Sequence, residues 1–349
     1  MPKPMISEWL RSHRHQLAEE IVARQYNLRA EQCQLLGEEG RRKSVRDVGY
    51  HLIYLAEALA AEDVALFNAY LAWVKVLFAG LGFSDDVIFT TLACTREVLN
   101  EHLSEGEKDI VLVYLDAGME ALNRAPSQVG SHIEPDSPLH DLAAEYLNAL
   151  LKGDRHQAGE LIMTAVEAGT PIKQIYLKVF QPVQREIGRL WQTNQISVAQ
   201  EHYCTAATQL IMSQLYPRIF SGERTGRSLV ATCVGGELHE IGVRMVADFF
   251  EMEGWDTYYL GANTPTESVI STVEQRNPDI LAISTTITMH VSEVASLIEQ
   301  VRANGAGTDV SILVGGYPFN TSSQLWRQVG ADAYAADAQE ALQVVEDFL

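Results

Sequence analysis

Residues 233–244 read Cys-Val-Gly-Gly-Glu-Leu-His-Glu-Ile-Gly-Val-Arg, so that Glu237, His239 and Glu240 crowd two carboxylates around one imidazole. The apolar run before them, Ser228 to Val234, reads as a buried parallel strand, and the stretch from about His239 to Met252 reads as an amphipathic helix. A glycine-rich turn in that place holds pyrophosphate in nucleotide-binding folds, but two acids would repel a phosphate. A carboxylate beside a histidine suits metal binding instead. It takes the proton of one ring nitrogen and leaves the other to bind a metal. No second or third protein ligand lies nearby in sequence, as zinc would need. A single histidine is what a metal already held in a macrocycle requires, because the ring fills the equatorial positions.

The elements that must position these residues follow from the pattern after residue 227. Strand candidates at 228–234, 256–260, 279–284, 310–314 and 332–335 alternate with helices, the last near Ala338–Phe348. That alternation predicts a doubly wound α/β parallel sheet with the flavodoxin-like (Rossmann-like) strand order, over a domain of residues 227–349. Ligands of such sheets sit at the carboxyl ends of the strands. Those ends carry Glu237, His239 and Gly242 after the first strand, Ser284, Thr285 and Thr286 after the third, and Gly315-Gly316 after the fourth. Glycines and small hydroxyls there would leave a deep slot for a long organic tail.

Upstream, residues 139–220 predict a four-helix unit, Leu139–Lys152, Arg155–Ala168, Ile172–Trp191 and Val198–Phe220, broken at Gly153-Asp154, Gly169-Thr-Pro171 and Thr193-Asn194. Residues 126–138 hold Pro126, Pro135 and Pro138 among small polar residues and read as a linker. Residues 1–125 read as helical throughout, with Val48, Leu52, Leu55 and Leu59 on one stripe, Asp63 and Ser84 as helix caps, and a capping box at Ser104–Glu107.

Glu237-x-His239-x-x-Gly242, then Ser284-x-Thr286, then Gly315-Gly316, resembles the cobalamin-binding signature, which usually shows Asp-x-His-x-x-Gly, Ser/Thr-x-Leu and Gly-Gly at these spacings. Glu stands for Asp at 237 and Thr for Leu at 286. The resemblance implies that His239 is the lower axial ligand of cobalt and that the displaced dimethylbenzimidazole tail lies by Ser284 and Gly315-Gly316. It also implies that the four-helix unit caps the upper face of the corrin. Trp191, nine residues, then Glu201-His202 is similar to the motif of cobalamin photoreceptors, the light-dependent carotenoid-gene repressors. That likeness implies an adenosylcobalamin whose adenosyl group meets Trp191, Val198, Glu201 and His202. Two departures stand out. The repressors have a second histidine directly after the tryptophan, where this chain has Gln192. They also begin with a small basic DNA-binding domain, where this chain has an acidic helical one.

Length and helix content make the N-terminal segment look like a globin-like sensor domain, and the domain order resembles photocobilins, which hold biliverdin beside cobalamin. Candidate pocket residues are Tyr50, His51 and Tyr54, with Tyr70, Trp73 and Phe78; His51 could contact a bilin carbonyl or propionate, or a haem iron, while Tyr50, Tyr54 and Trp73 also read as helix-packing core or dimer surface. Cys94 could attach one covalently, although a buried helix cysteine is the blander reading.

Composition limits the rest. A formal net charge of −20 over 349 residues argues against nucleic-acid binding. No apolar run reaches the roughly 18 residues of a membrane span. Cys33, Cys94, Cys204 and Cys233 show no CxxC spacing and fit a reducing cytoplasm. The expectation is a non-enzymatic, cytoplasmic light sensor binding adenosylcobalamin and a bilin. Its signal leaves through a homo-oligomer or a separate output protein. The alternative is a corrinoid methyl-carrier subunit of a methyltransferase system.

Overall fold

The computed structural model describes residues 3–29, 37–220, 223–304 and 310–346, so Cys33 and the expected helix end at Phe348 lie outside the described residues. Two compact units emerge: one of residues 1–127 with 287–295 and 317–329, the other of 128–286 with 296–316 and 330–349.

The first unit is built on α1 (Lys3–Leu28), α2 (Gly37–Ala60), α3 (Val64–Gly80), α4 (Asp85–His102) and α5 (Glu105–Arg124). The stripe Val48, Leu52, Leu55 and Leu59 is fully buried on α2. Asp63 caps α3 by accepting from the Ala65 amide at 2.8 Å, and the Ser104–Glu107 capping box starts α5. Ser84 takes the N-cap position of α4, but its hydroxyl makes no cap bond. Helices α3 and α5 touch at Gly118, where a Cβ would come within 2.7 Å of Leu71. Within the same unit Glu57 is buried, with Oε1 2.8 Å from Arg11 Nη2 and 3.0 Å from the Ser292 hydroxyl that donates to it.

The second unit joins helices and sheet in one core. Its helices are α6 (His140–Leu151), α7 (Arg155–Glu167), α8 (Ile172–Ile175), α9 (Gln181–Gln192), α10 (Val198–Gln214) and α11 (Tyr216–Ile219). A π-helical turn, Tyr176–Phe180, links α8 to α9, so the expected third helix is one run with a widened turn inside it. The helix expected to reach Phe220 breaks at Leu215, just before Pro217. Tyr146, Tyr176, Phe180 and Ile211 of this layer share a core with Leu229, Phe249 and Ile280 of the sheet layer.

Strands β1 (Ser228–Cys233), β2 (Asp256–Gly261), β3 (Ile280–Ser284), β4 (Ser311–Gly315) and β5 (Ala333–Ala335) form a wholly parallel sheet in the order β2-β1-β3-β4-β5. This is the order that the alternation predicts, and its switch point lies between β1 and β3. Helices α12 (Ile241–Met252), α13 (Thr266–Arg276), α14 (Val291–Ala303), α15 (Tyr317–Thr321), α16 (Leu325–Gln328) and α17 (Ala338–Glu346) complete the described elements. No helix among the described residues is long and apolar enough to cross a membrane.

The expected linker is coil, but it is not loose. Ile133 is buried in the core of the second unit. The His132 amide donates to Glu186 of α9 at 2.9 Å, and Arg189 donates to the Val129 carbonyl at 3.4 Å.

Burial pushes Glu57 from the usual 4.5 up to about 7, against the pull of Arg11. The folded chain therefore holds a proton there that the unfolded chain releases. The stability this contributes is full below about pH 4.5 and is lost as pH rises through about 7. Glu57→Gln removes that dependence. Urea unfolding at pH 5 and pH 8 should show the variant gaining on the parent at the higher pH, by at most about 3 kcal/mol from a shift of this size. An equal difference at both pH values would refute the assignment.

Candidate functional site

Strand β1 ends at Cys233, and the chain turns through Gly235 and Gly236 before α12 begins at Ile241. Gly236 has a φ of +81°, and its amide donates to the Asn263 side chain at 2.7 Å. Asn263 in turn donates its amide to the Glu237 carbonyl at 2.8 Å. The turn is thus tied to the residues following β2 before any functional group is placed.

Glu237 points inward and is 0% exposed. One carboxylate oxygen accepts the His239 amide at 2.9 Å and meets His239 Nδ1 at 2.6 Å. The other accepts the Thr285 hydroxyl at 3.0 Å and the Thr286 amide at 2.8 Å. These bonds settle the tautomer of a neutral His239: Nδ1 carries the proton, and Nε2 keeps its lone pair. The His239 ring is 54% exposed, so Nε2 sits on an accessible imidazole beside a buried carboxylate. The hydrogen bond to Glu237 raises the affinity of His239 for a proton, against the opposing effect of burial, and the charge of Glu201 adds to the rise.

The glycines behave differently from one another. A Cβ at Gly242 would meet nothing within 4 Å, which leaves open space at the first turn of α12. At Gly316, with φ +107°, a Cβ would lie 1.9 Å from the Thr285 carbonyl oxygen. At Gly315 it would lie 3.0 Å from that of Ala335. The motif implies that these two positions line a slot. What demands glycine at 316 is the crossing of the β4 end over the Thr285 backbone, which holds Thr285 where its hydroxyl reaches Glu237. Thr285, the middle residue of Ser284-x-Thr286, is the group to which the motif assigns no role. Its side chain bonds Glu237, whereas Thr286 uses its amide, and Ser284 pairs with Cys233 and Gly315 in the sheet register. A buried hydroxyl one register past the strand is the only signal of it in the sequence.

Glu240 is structural. It accepts from Tyr259 at 2.7 Å, from the Ala262 amide at 3.0 Å and from Gln209 of α10 at 2.7 Å.

The helical candidates cluster at the α9–α10 turn. Trp191 is 36% exposed and Val198 53%. Glu201 meets the Nδ1 of His202 and accepts from the Thr205 hydroxyl. Gln192, which stands where the resemblance expects a second histidine, is buried. In the first unit His51 is buried, with Nδ1 2.7 Å from the Tyr70 hydroxyl, and burial lowers its pKa to about 4. Tyr54 stacks on Tyr70 with ring centroids 3.6 Å apart, while Tyr50 and Trp73 are partly exposed. Cys94 is 0% exposed and its thiol pKa is raised by burial, in keeping with a buried helix cysteine.

Residues 227–345 match the family of the B12 binding domain, residues 142–216 match a second B12 binding domain family, and residues 6–122 match the phycobilisome protein family. The two B12 binding domain matches together take in most of the chain after residue 141. The dimethylamine corrinoid protein of Methanosarcina barkeri is 30% identical over 139 residues, 40% of this chain and 63% of that protein, so the match spans somewhat less than two thirds of that relative. A corrinoid protein of Desulfitobacterium hafniense (strain Y51) is 24% identical over 214 residues, 60% of this chain and 97% of its own length. In fold, the chain is similar to the monomethylamine corrinoid protein of Methanosarcina barkeri, with a TM-score of 0.54 at 22% identity, covering 60% of this chain and 100% of that one.

The residues present fit a corrinoid. They offer one carboxylate-oriented imidazole and open space at Gly242, and among the described residues no group of three or more metal-ligating side chains competes for the metal. His239→Ala should remove the histidine-ligated visible spectrum of bound cobalamin. Thr285→Val should leave that ligation in place and weaken binding by roughly tenfold, the low end for groups that orient a ligand. Titration with hydroxocobalamin checks both, and an unchanged affinity and spectrum in His239→Ala would sink the ligand assignment.

Proposed function

We propose that the chain is a light sensor that holds adenosylcobalamin through His239, under a cap formed by residues 139–220. The observation that carries this reading is the cluster of Trp191, Val198 and a Glu201 that meets His202 Nδ1 at the α9–α10 turn, together with a His239 oriented by a buried carboxylate. In this reading the upper face takes Trp191 and Val198 as apolar surface and Glu201-His202 as hydrogen-bonding groups for ribose or adenine. When bound, adenosylcobalamin supplies a cobalt–carbon bond that visible light breaks. The protein's part is to hold the imidazole in one tautomer, to shield the upper face, and to present contacts that exist only while the adenosyl group is there. Such differential contacts are what a ligand-driven switch needs. A few of them provide roughly 1–3 kcal/mol of coupling, or about 5- to 150-fold in an equilibrium. The signal then leaves as a change of self-association or of partner binding.

The first unit supports a sensor over a plain carrier. The matched corrinoid protein of Desulfitobacterium hafniense is 97% covered by 60% of this chain, so little of that relative remains to correspond to residues 1–127. That segment instead resembles phycobilisome proteins. Biliverdin bound near Tyr50, His51 and Tyr54 is the cofactor we assign to it.

The relatives favour a second reading more directly than the first. They carry the names of methylamine corrinoid proteins, which supports a corrinoid methyl carrier serving a methyltransferase. A carrier must open its upper face and has no use for an adenosyl-fitted Trp191.

Two measurements separate the readings. Protein loaded with adenosylcobalamin in the dark should change its spectrum and its sedimentation after green light, read at moderate ionic strength because of the net charge of −20. Trp191→Ala should abolish a preference for adenosylcobalamin over methylcobalamin. Equal affinity for the two forms in the parent protein, with no change of mass or shape on illumination, would favour the carrier. Biliverdin added to the full chain should give a red-shifted band that a chain beginning at residue 128 lacks. Persistence of the band in the shorter chain would place the bilin elsewhere.

A further inference from the structure

The run Ile172–Gln192 is not a uniform helix. At Tyr176–Phe180 the turn widens, and the Gln181 amide donates to the Tyr176 carbonyl, five residues back instead of four. Such turns are rare and gather at functional sites. The cause is local. Pro182 follows at once. In a regular α-helix it would have no amide for the Lys178 carbonyl, and its ring would collide with that oxygen. The widened turn also has an anchor. Tyr176 is 0% exposed, and its hydroxyl donates to Asp248 of α12 at 2.8 Å. Its ring packs against Phe180 and Phe249 with centroids 5.2 and 6.0 Å away. One residue more or less in a helix rotates everything beyond it by roughly 100°, a single residue's share of a 3.6-residue turn. What lies beyond is the last turn of α9, which carries Trp191.

We infer that the π-helical turn, imposed by Pro182 and pinned by the Tyr176–Asp248 hydrogen bond, sets the rotational phase in which α9 presents Trp191. Tyr176, Asp248 and Pro182 are then positioning residues for the upper face of the site, in the sense that rests on the cap reading above. Tyr176 and Asp248 are both buried inside the second unit. They decide which way the tryptophan faces.

The test uses the full chain labelled with 5-fluorotryptophan, with the Trp191 resonance assigned by its loss in Trp191→Phe. Pro182→Ala and Tyr176→Phe should shift that resonance and leave those of Trp9 and Trp73 in place, while Asp248→Asn, which keeps an acceptor for Tyr176, should leave all of them near the parent values. Tyr176→Phe removes a single hydroxyl and serves if Pro182→Ala fails to fold. A Trp191 resonance unmoved in Tyr176→Phe and in folded Pro182→Ala overturns the inference. Affinities for adenosylcobalamin and methylcobalamin, measured on the same proteins, keep the two ideas apart. If the resonance shifts and the adenosyl preference does not, the phase assignment stands and the adenosyl-facing role of Trp191 falls. If Trp191→Phe loses the preference while the π-turn variants keep both resonance and preference, the cap reading stands and the phase assignment falls.

Discussion

A carboxylate with no access to water is the constraint around which the strand ends are arranged. Burying an ionised Glu237 costs several kcal/mol unless its oxygens are satisfied. Both oxygens are satisfied, by the His239 amide and ring on one side and by the Thr285 hydroxyl and Thr286 amide on the other. Charge-assisted bonds of this kind are short and directional. Their geometry therefore fixes β1's turn against β3's end. The glycine at 316 follows from the same requirement, since any side chain there would drive the Thr285 backbone out of reach of Glu237. The motif residues that look like separate elements in sequence are thus links of one chain, Gly316 to Thr285 to Glu237 to His239.

The helical layer of the second unit is held to the sheet layer by a second set of polar contacts, spaced one helical turn apart. Glu240, Arg244 and Asp248 lie four residues apart along α12 and meet Gln209, Ser213 and Tyr176 at 2.7, 2.7 and 2.8 Å. Lys173 and Glu253 close the row. Residues four apart share a helix face, so these pairs fix the register of α8–α10 along α12 as well as their distance from it.

Much of this is legible in the residues themselves. The five strands follow from runs such as Leu229–Cys233, apolar but for the buried Thr232, and Ile280–Ile283, because a sheet covered on both faces needs nearly continuous apolar strands. Caps at Asp63 and Ser104 are readable because a cap depends on its neighbours within one turn. What escapes reading depends on partners far along the chain. Thr285 is one hydroxyl among several until Glu237 is seen to be buried beside it. The π-helical turn requires knowing that Tyr176 finds Asp248, seventy-two residues away; Pro182 alone announces only that something must give. The burial of His51, with Tyr70 as the partner of its Nδ1, is likewise not announced by its place in the sequence.

The segment rich in proline before residue 139 shows how composition misleads about mechanics. Proline and small polar residues imply a spacer, yet residues 129–133 are fastened to α9 by backbone groups. Glu186 accepts from the His132 amide, Arg189 bridges Glu186 and the Val129 carbonyl, and Ile133 fills the core. Glu186 is itself buried, and its partners hold it ionised: the Arg189 guanidinium and the His132 amide together outweigh the opposing effect of burial and lower its pKa. Residues 129–132 are thereby fastened to α9 as close as two residues from Trp191. A flexible spacer would dissipate a small displacement, whereas a docked strap with a buried ion pair passes it on.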